Sequence, residues 1–194
     1  IVWLTADSIE IPITQFSDPN IVCGQAVSRN EFGCMHGLFP SPDNSRLAFY
    51  VKDESQVTTF PLLDITTRTG TANEIKYPMV GMSSERLRLG VYDVAQNKTI
   101  YLNITDFTDE RYLTNVTWSP DSKTIYIQVM NREQKELNLN AYDALTGEFK
   151  ATLLSEKNDQ FLEPNKPLIF IDNDRFIYTT DNRDGYYNLY LYSL

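Results

Sequence analysis

One short phrase is written twice in this chain, and that repeat limits the folds open to it. Phe39-Pro40-Ser41-Pro42-Asp43 precedes Leu47-Ala48-Phe49-Tyr50-Val51, and Trp118-Ser119-Pro120-Asp121 precedes Thr124-Ile125-Tyr126-Ile127-Gln128-Val129. In both copies turn-forming residues are followed by a β-branched and aromatic run, the signature of a turn feeding a strand. Asp172-Asn173-Asp174 before Arg175-Phe176-Ile177-Tyr178-Thr179 has the same form. Each full copy continues into an alternating segment that closes on Tyr-Asp, at Tyr92-Asp93 and Tyr142-Asp143. A turn and one more strand follow: Ala95-Gln96-Asn97-Lys98 then Thr99–Leu102, and Thr146-Gly147 then Phe149–Leu154.

Four antiparallel strands per unit of roughly 40–50 residues is the pattern of a β-propeller blade. Helical periodicity is scarce. The fold class expected is therefore all-β: a partial β-propeller of four-stranded antiparallel blades. A single blade cannot bury both faces, so blades must stack side by side. Ser41 and Ser119 stand too far apart for one plain blade. The excess falls between Tyr50 and Leu87 and reads as an extended hairpin arm or insertion. The expected divisions are a blade tail at 1–16, a blade with the insertion at 20–104, a blade at 112–154 and the start of another at 167–194. A closed propeller has at least four blades, so the chain reads as a segment of a longer polypeptide.

Composition narrows the function. Hydrophobic residues are 42% of the 194, and Tyr (12) and Phe (10) dominate the aromatics, enough for a real core. The net charge of −9 and the lack of any Lys/Arg stripe argue against nucleic acid, which is bound by neutralising phosphates. The acidity suits a cationic partner such as a free amine. No apolar run approaches the roughly 20 residues of a membrane span, and the opening Ile1–Thr14 has no signal-peptide form.

Catalytic constellations are missing. There is no G-x-S-x-G nucleophile elbow, and the single histidine, His36, has no partner marking it as a base. Cys34 and His36, two apart on an expected strand, lack an orienting third group. Cys23 and Cys34 form no metal motif with one histidine and no CxxC pair; a disulfide and two free thiols both stay open. Asp109-Glu110 and Asp172 with Asp174 read as solvated turn carboxylates. No cofactor or metal is expected. Asn97, Asn103 and Asn115 open three-residue glycosylation sequons too common by chance to carry weight.

A longer ordered set of motifs is more specific. Val22-Cys23-Gly24-Gln25, Arg29-Asn30-Glu31-Phe32-Gly33, Phe39-Pro40-Ser41-Pro42, Leu47-Ala48-Phe49-Tyr50, Asp53-Glu54-Ser55 and Phe60-Pro61-Leu62 follow one another in order. Tyr77-Pro78, Gly90-Val91-Tyr92, Val116-Thr117-Trp118-Ser119-Pro120 and Arg183-Asp184-Gly185-Tyr186 complete the set. Together they resemble the N-terminal β-propeller of the dipeptidyl-peptidase IV family, prolyl-oligopeptidase-clan serine peptidases, in the style of its secreted Bacteroides-group members. The resemblance implies an eight-bladed propeller capping an α/β-hydrolase domain that carries the Ser-Asp-His triad outside this segment. It implies a propeller that binds the free N-terminal amine of a peptide and gates the substrate. It further implies a homodimer, and a periplasmic or secreted location.

Carried onto this sequence, the amine ligand is Glu31, with Arg29 and Asn30 secondary. The family's better-known members have consecutive glutamates; the single Glu31 bears on strict dipeptidyl specificity and leaves room for tripeptidyl or broader activity. Asp53 and Glu54 would belong to an arm reaching over the cavity toward a partner subunit. Phe161 and Glu163 would border the cavity. Two other classes stand beside this reading: a propeller scaffold for protein interaction with no peptidase domain, and a carbohydrate enzyme using paired carboxylates.

Overall fold

The computed structural model describes residues 1–164 and 166–194, and the strands account for nearly all of its regular structure. The strands in chain order are β1 (Val2–Leu4), β2 (Glu10–Pro12), β3 (Ile21–Cys23), β4 (Leu38–Pro40), β5 (Arg46–Asp53), β6 (Thr59–Asp64), β7 (Thr71–Lys76) and β8 (Arg86–Asp93). They continue with β9 (Lys98–Tyr101), β10 (Tyr112–Trp118), β11 (Thr124–Met130), β12 (Glu136–Asp143), β13 (Phe149–Lys157), β14 (Ile169–Phe170), β15 (Arg175–Thr180) and β16 (Asn188–Ser193). All pairings are antiparallel. β10-β11-β12-β13 is a four-stranded meander, and β14-β15-β16 is a three-stranded sheet. In the sheet before the meander, β5 pairs β8 and β8 pairs β9, while both β3 and β4 pair the far side of β5. β1-β2 and β6-β7 stand as separate two-stranded ribbons.

The repeated phrase builds the same turn twice. Ser41 Oγ donates to Asp43 (2.7 Å) and accepts the Arg46 N–H (3.0 Å). Ser119 Oγ donates to Asp121 (2.6 Å) and accepts the Thr124 N–H (2.9 Å). The backbone folds back identically, Ser41 N–H to Arg46 C=O and Ser119 N–H to Thr124 C=O. The left-handed positions are Asn44 (φ 58°) and Ser122 (φ 61°). The serine hydroxyl's hydrogen bond lowers the pKa of each aspartate. Asx and Ser turns of this kind satisfy backbone donors where a strand starts.

The two sheets share one core. Tyr50, Leu87, Leu89 and Val91 from the first pack with Leu113, Trp118, Ile125, Ile127 and Leu137 from the second. Alternation along each strand sends these residues to the facing side. Two large aromatics also reach across with their polar tips: the Tyr50 hydroxyl donates to Leu113 C=O at 2.8 Å, and Trp118 Nε1 donates to Phe39 C=O at 2.9 Å. The half-buried Arg46–Asp93 pair (3.0 Å) lies at the same seam, with Arg46 Nη1 donating to Ser122 C=O. A second core, Tyr126, Leu139, Ala141, Phe176 and Tyr178, joins the meander to the last sheet.

The chain departs from the sheet twice. One departure, the arm β6-β7, accounts for the excess length between Tyr50 and Leu87 and is paired from Thr59↔Lys76 to Asp64↔Thr71. The other interrupts the strand beside β5. β3 pairs Asp53 through Val51, β4 pairs Phe49 through Leu47, and the chain between them leaves and returns. Gly37 closes the neck of this excursion: a Cβ there would stand 2.1 Å from Gln25 C=O, inside any permitted contact. The expected strand through Cys34 and His36 is not formed. Ser28–Gly33 is a tight, mostly left-handed turn segment and 34–36 is loop, because this stretch has left the ladder.

Gly37→Ala is expected to force the neck open and lower the melting temperature by several degrees, at roughly 2–4 °C per kcal/mol lost. Gly81→Ala, whose added Cβ meets nothing but whose φ is +78°, is the milder comparison; both are read by thermal denaturation.

Candidate functional site

The excursion carries an unusual backbone. Ser28 (φ 51°), Arg29 (53°), Asn30 (66°) and Phe32 (55°) are all left-handed, and only Glu31 (φ −63°, ψ 164°) is extended among them. For non-glycine residues each such position costs on the order of 1 kcal/mol or more, and the surroundings must hold it. Several contacts do so. Phe32 is buried and packs edge-on against Tyr112, centroids 5.1 Å apart. Asn30 N–H bonds Val27 C=O, and Cys34 N–H bonds Glu31 C=O. Ser28 N–H donates to Glu85 Oε1 at 2.7 Å. The Arg29 guanidinium lies 4.6 Å over the Tyr77 ring and donates to Lys76 C=O. The segment is thus tied to the root of the arm.

The result is an open cavity of roughly 220 Å³, bounded by Ser28, Glu31, Phe32, Tyr77, Glu85 and Tyr112 among others. Glu31 is exposed on its wall. The two arginines that line it, Arg29 and Arg132, are both occupied. Arg29 is held as described; Arg132 donates to the Tyr112 hydroxyl, lies 5.4 Å from that ring and stands 3.8 Å from Glu110. Burial pushes the Tyr112 phenol up, so it stays a neutral hydroxyl. The cavity therefore sets the carboxylates of Glu31 and Glu85 among aromatic rings and the two engaged arginines.

Of the residues singled out from sequence, Arg29 and Glu31 line this cavity. Asn30 is exposed on the same segment but is not among the cavity-lining residues. Asp53 and Glu54 lie at the root of the arm, not on it: Asp53 is the last residue of β5, and the arm itself runs through β6 and β7. Asp53 accepts the Ser55 N–H (2.9 Å), and those Ser55 hydrogen bonds lower its pKa. Glu54 pairs with Lys52 Nζ at 3.0 Å. Asp53 borders a separate cavity of roughly 250 Å³ with Arg86, Arg88, Asp109 and Arg111.

Phe161 and Glu163 are exposed on the loop after β13, and Glu163, not Phe161, edges a small crevice with Glu156 and Tyr178. That loop is anchored by a buried amide pair. β10 bulges between Thr114 and Thr117; there Asn115 donates to Gln128 (3.2 Å) and to Pro164 C=O (2.7 Å), and Gln128 donates to Lys166 C=O (3.0 Å). The Asn115 sequon is accordingly buried. Glu85 is a cavity residue that sequence reasoning missed, as are Tyr112 and Arg132. Ser84-Glu85-Arg86 reads as the polar lead-in to a strand, and only its Ser28 contact marks it.

The other chemistries find no support in the geometry. Cys23 and Cys34 are free thiols, and burial raises the Cys34 pKa, the opposite of an activated nucleophile. His36 sits against Phe39, centroids 4.9 Å apart. Asp172 accepts the Asp174 and Arg175 N–H groups and pairs with the Arg175 guanidinium at 2.7 Å, as a turn carboxylate. Among the described residues no cluster of His, Cys, Asp and Glu is placed to hold a metal, and no helix is long and apolar enough to cross a membrane.

This arrangement has known counterparts. The family model for the dipeptidyl peptidase IV (DPP IV) N-terminal region matches residues 2–194, and the chain belongs to that family. A crystal structure of a Bacteroides ovatus protein classed with dipeptidyl aminopeptidase IV superposes with a TM-score of 0.87 at 45% identity, over 93% of this chain and 26% of that one. Porphyromonas gingivalis dipeptidyl peptidase 4 superposes at 0.85 with 22% identity, over 96% of this chain and 27% of that one, and shows the shared fold. A Phaeosphaeria nodorum sequence bearing the name dipeptidyl-aminopeptidase B is 30% identical over 117 residues, 53% of this chain and 13% of its own length. The chain thus spans about a quarter of the two solved structures. Its sheets are those of a partial β-propeller, as expected from the repeat.

Tyr77→Ala removes the ring under Arg29. Faster amide hydrogen exchange is expected across 28–33, with exchange in β11 and β12 unchanged.

Proposed function

We propose that this chain is the substrate-gating, amine-binding propeller portion of a dipeptidyl-peptidase IV-like serine exopeptidase. The observation that carries the reading is Glu31, the one extended residue in a left-handed segment, exposed on the wall of a cavity whose arginines are already engaged. Strained backbone concentrates where a structure must present a group at a fixed place. A carboxylate held there pairs with the ammonium of a peptide's first residue and so fixes how far the chain extends toward a catalytic centre. Bond cleavage belongs to an α/β-hydrolase domain of the same polypeptide, with its own serine, aspartate and histidine. The chain described here supplies recognition and no nucleophile.

On this reading the four sheet groups, 1–16, 20–104, 112–154 and 167–194, belong to successive blades. The arm carries exposed Leu62, Leu63 and Ile65, which supports a role as a contact with a second copy in a homodimer. The family relationship supports a periplasmic or secreted location.

The test is kinetic. In the full-length protein, a Xaa-Pro anilide with a free N-terminus should be cleaved far better than its N-acetylated form, and Glu31→Gln should raise KM for the free-amine substrate roughly tenfold or more with little change in kcat. Equal cleavage of free and blocked substrates by the unmodified protein rejects the amine-binding role. The isolated 194-residue chain should not hydrolyse either substrate.

A further inference from the structure

We infer that Glu85 supplies the second carboxylate of the amine site and also positions its first. This rests on the reading of Glu31 above and names a partner that lies 57 positions along the chain from its Ser28 contact.

Three observations lead to it. Glu85 and Glu31 line the same cavity although they come from different segments, one preceding β8 and the other in the excursion beside β5. One Glu85 oxygen, Oε1, holds the Ser28 N–H at the first left-handed residue. Among the described residues no ion pair within 4 Å engages the Glu85 carboxylate, while Arg29 is held by the Tyr77 ring and Lys76 C=O and Arg132 by the Tyr112 hydroxyl and Glu110.

An ammonium presents three donors, and a single carboxylate shared with solvent satisfies them poorly. Two carboxylates lining one cavity from separate elements satisfy more of them and offset the charge of the arginines beside them. Ser28 adds to the case: its Oγ, at the same wall, is buried without a hydrogen-bond partner. This chain has one glutamate in its excursion, and the fold brings a second to it from the root of the arm.

Charge and positioning separate by substitution. Glu85→Gln keeps an oxygen that can accept the Ser28 N–H but removes the charge; Glu85→Ala removes both. In the full-length protein, with free-amine and N-acetylated Xaa-Pro anilides, Glu85→Gln is expected to raise KM for the free-amine substrate about tenfold, leaving kcat and the acetylated substrate unchanged. Glu85→Ala should raise KM further and quicken amide exchange across 28–33. Glu31→Gln should keep part of the free-amine preference, and the double Glu31→Gln/Glu85→Gln variant should lose it.

An unchanged KM in Glu85→Gln overturns the inference and leaves the role of Glu31 standing. So does complete loss of preference in Glu31→Gln alone, a result that needs no Glu85 variant to fold. Absence of any free-amine preference in the unmodified protein rejects the underlying reading instead.

Discussion

The structure hangs on the seam where the sheet built around β5 and β8 meets the meander β10–β13. Neither sheet can bury both faces alone, so each depends on the other for its core. The seam is apolar in bulk, but its alignment comes from polar tips: the Tyr50 hydroxyl on Leu113 C=O and the Trp118 indole on Phe39 C=O. A buried hydrogen bond of this kind contributes only about 1 kcal/mol net, yet leaving either carbonyl unsatisfied costs more. Such contacts therefore penalise any slip of one sheet against the other. Everything at the proposed site inherits that register, because Tyr112 begins β10 and Glu85 stands just before β8.

Strain and support are divided cleanly between segments. The excursion holds four left-handed residues within Ser28–Phe32 that no local sequence preference would choose. What stabilises them comes from elsewhere: Tyr112 of β10 against Phe32, Glu85 from the lead-in to β8, and Tyr77 from the foot of the arm. The arm is thus more than an appendage, since its root forms one wall of the cavity and clamps Arg29.

This division explains what the sequence disclosed and what it hid. Ser41-Pro42-Asp43 and Ser119-Pro120-Asp121 announce their strands because the serine and aspartate make the turn by themselves. The Tyr-Asp endings of β8 and β12 were legible from local pattern, and the arm between Tyr50 and Leu87 from the excess spacing between the two copies. The segment Ser28–Gly33 was not. Gly33 is the one glycine among its five positive-φ residues, and distant contacts hold Ser28, Arg29 and Phe32 in the left-handed form. Glu31 came into view through its resemblance to a known motif. Glu85 stayed hidden, because a glutamate before a strand is unremarkable until the fold sets it against Ser28.

The neck at Gly37 has a consequence for how such a chain can change over time. Because the backbones at Gln25 and Gly37 touch, the ladder beside β5 is sealed before and after the excursion. Residues inside it can be exchanged without disturbing strand pairing, provided the tethers to Phe32 and the arm survive. The excursion is thus a module that evolution can rewrite while the sheets beneath keep their shape.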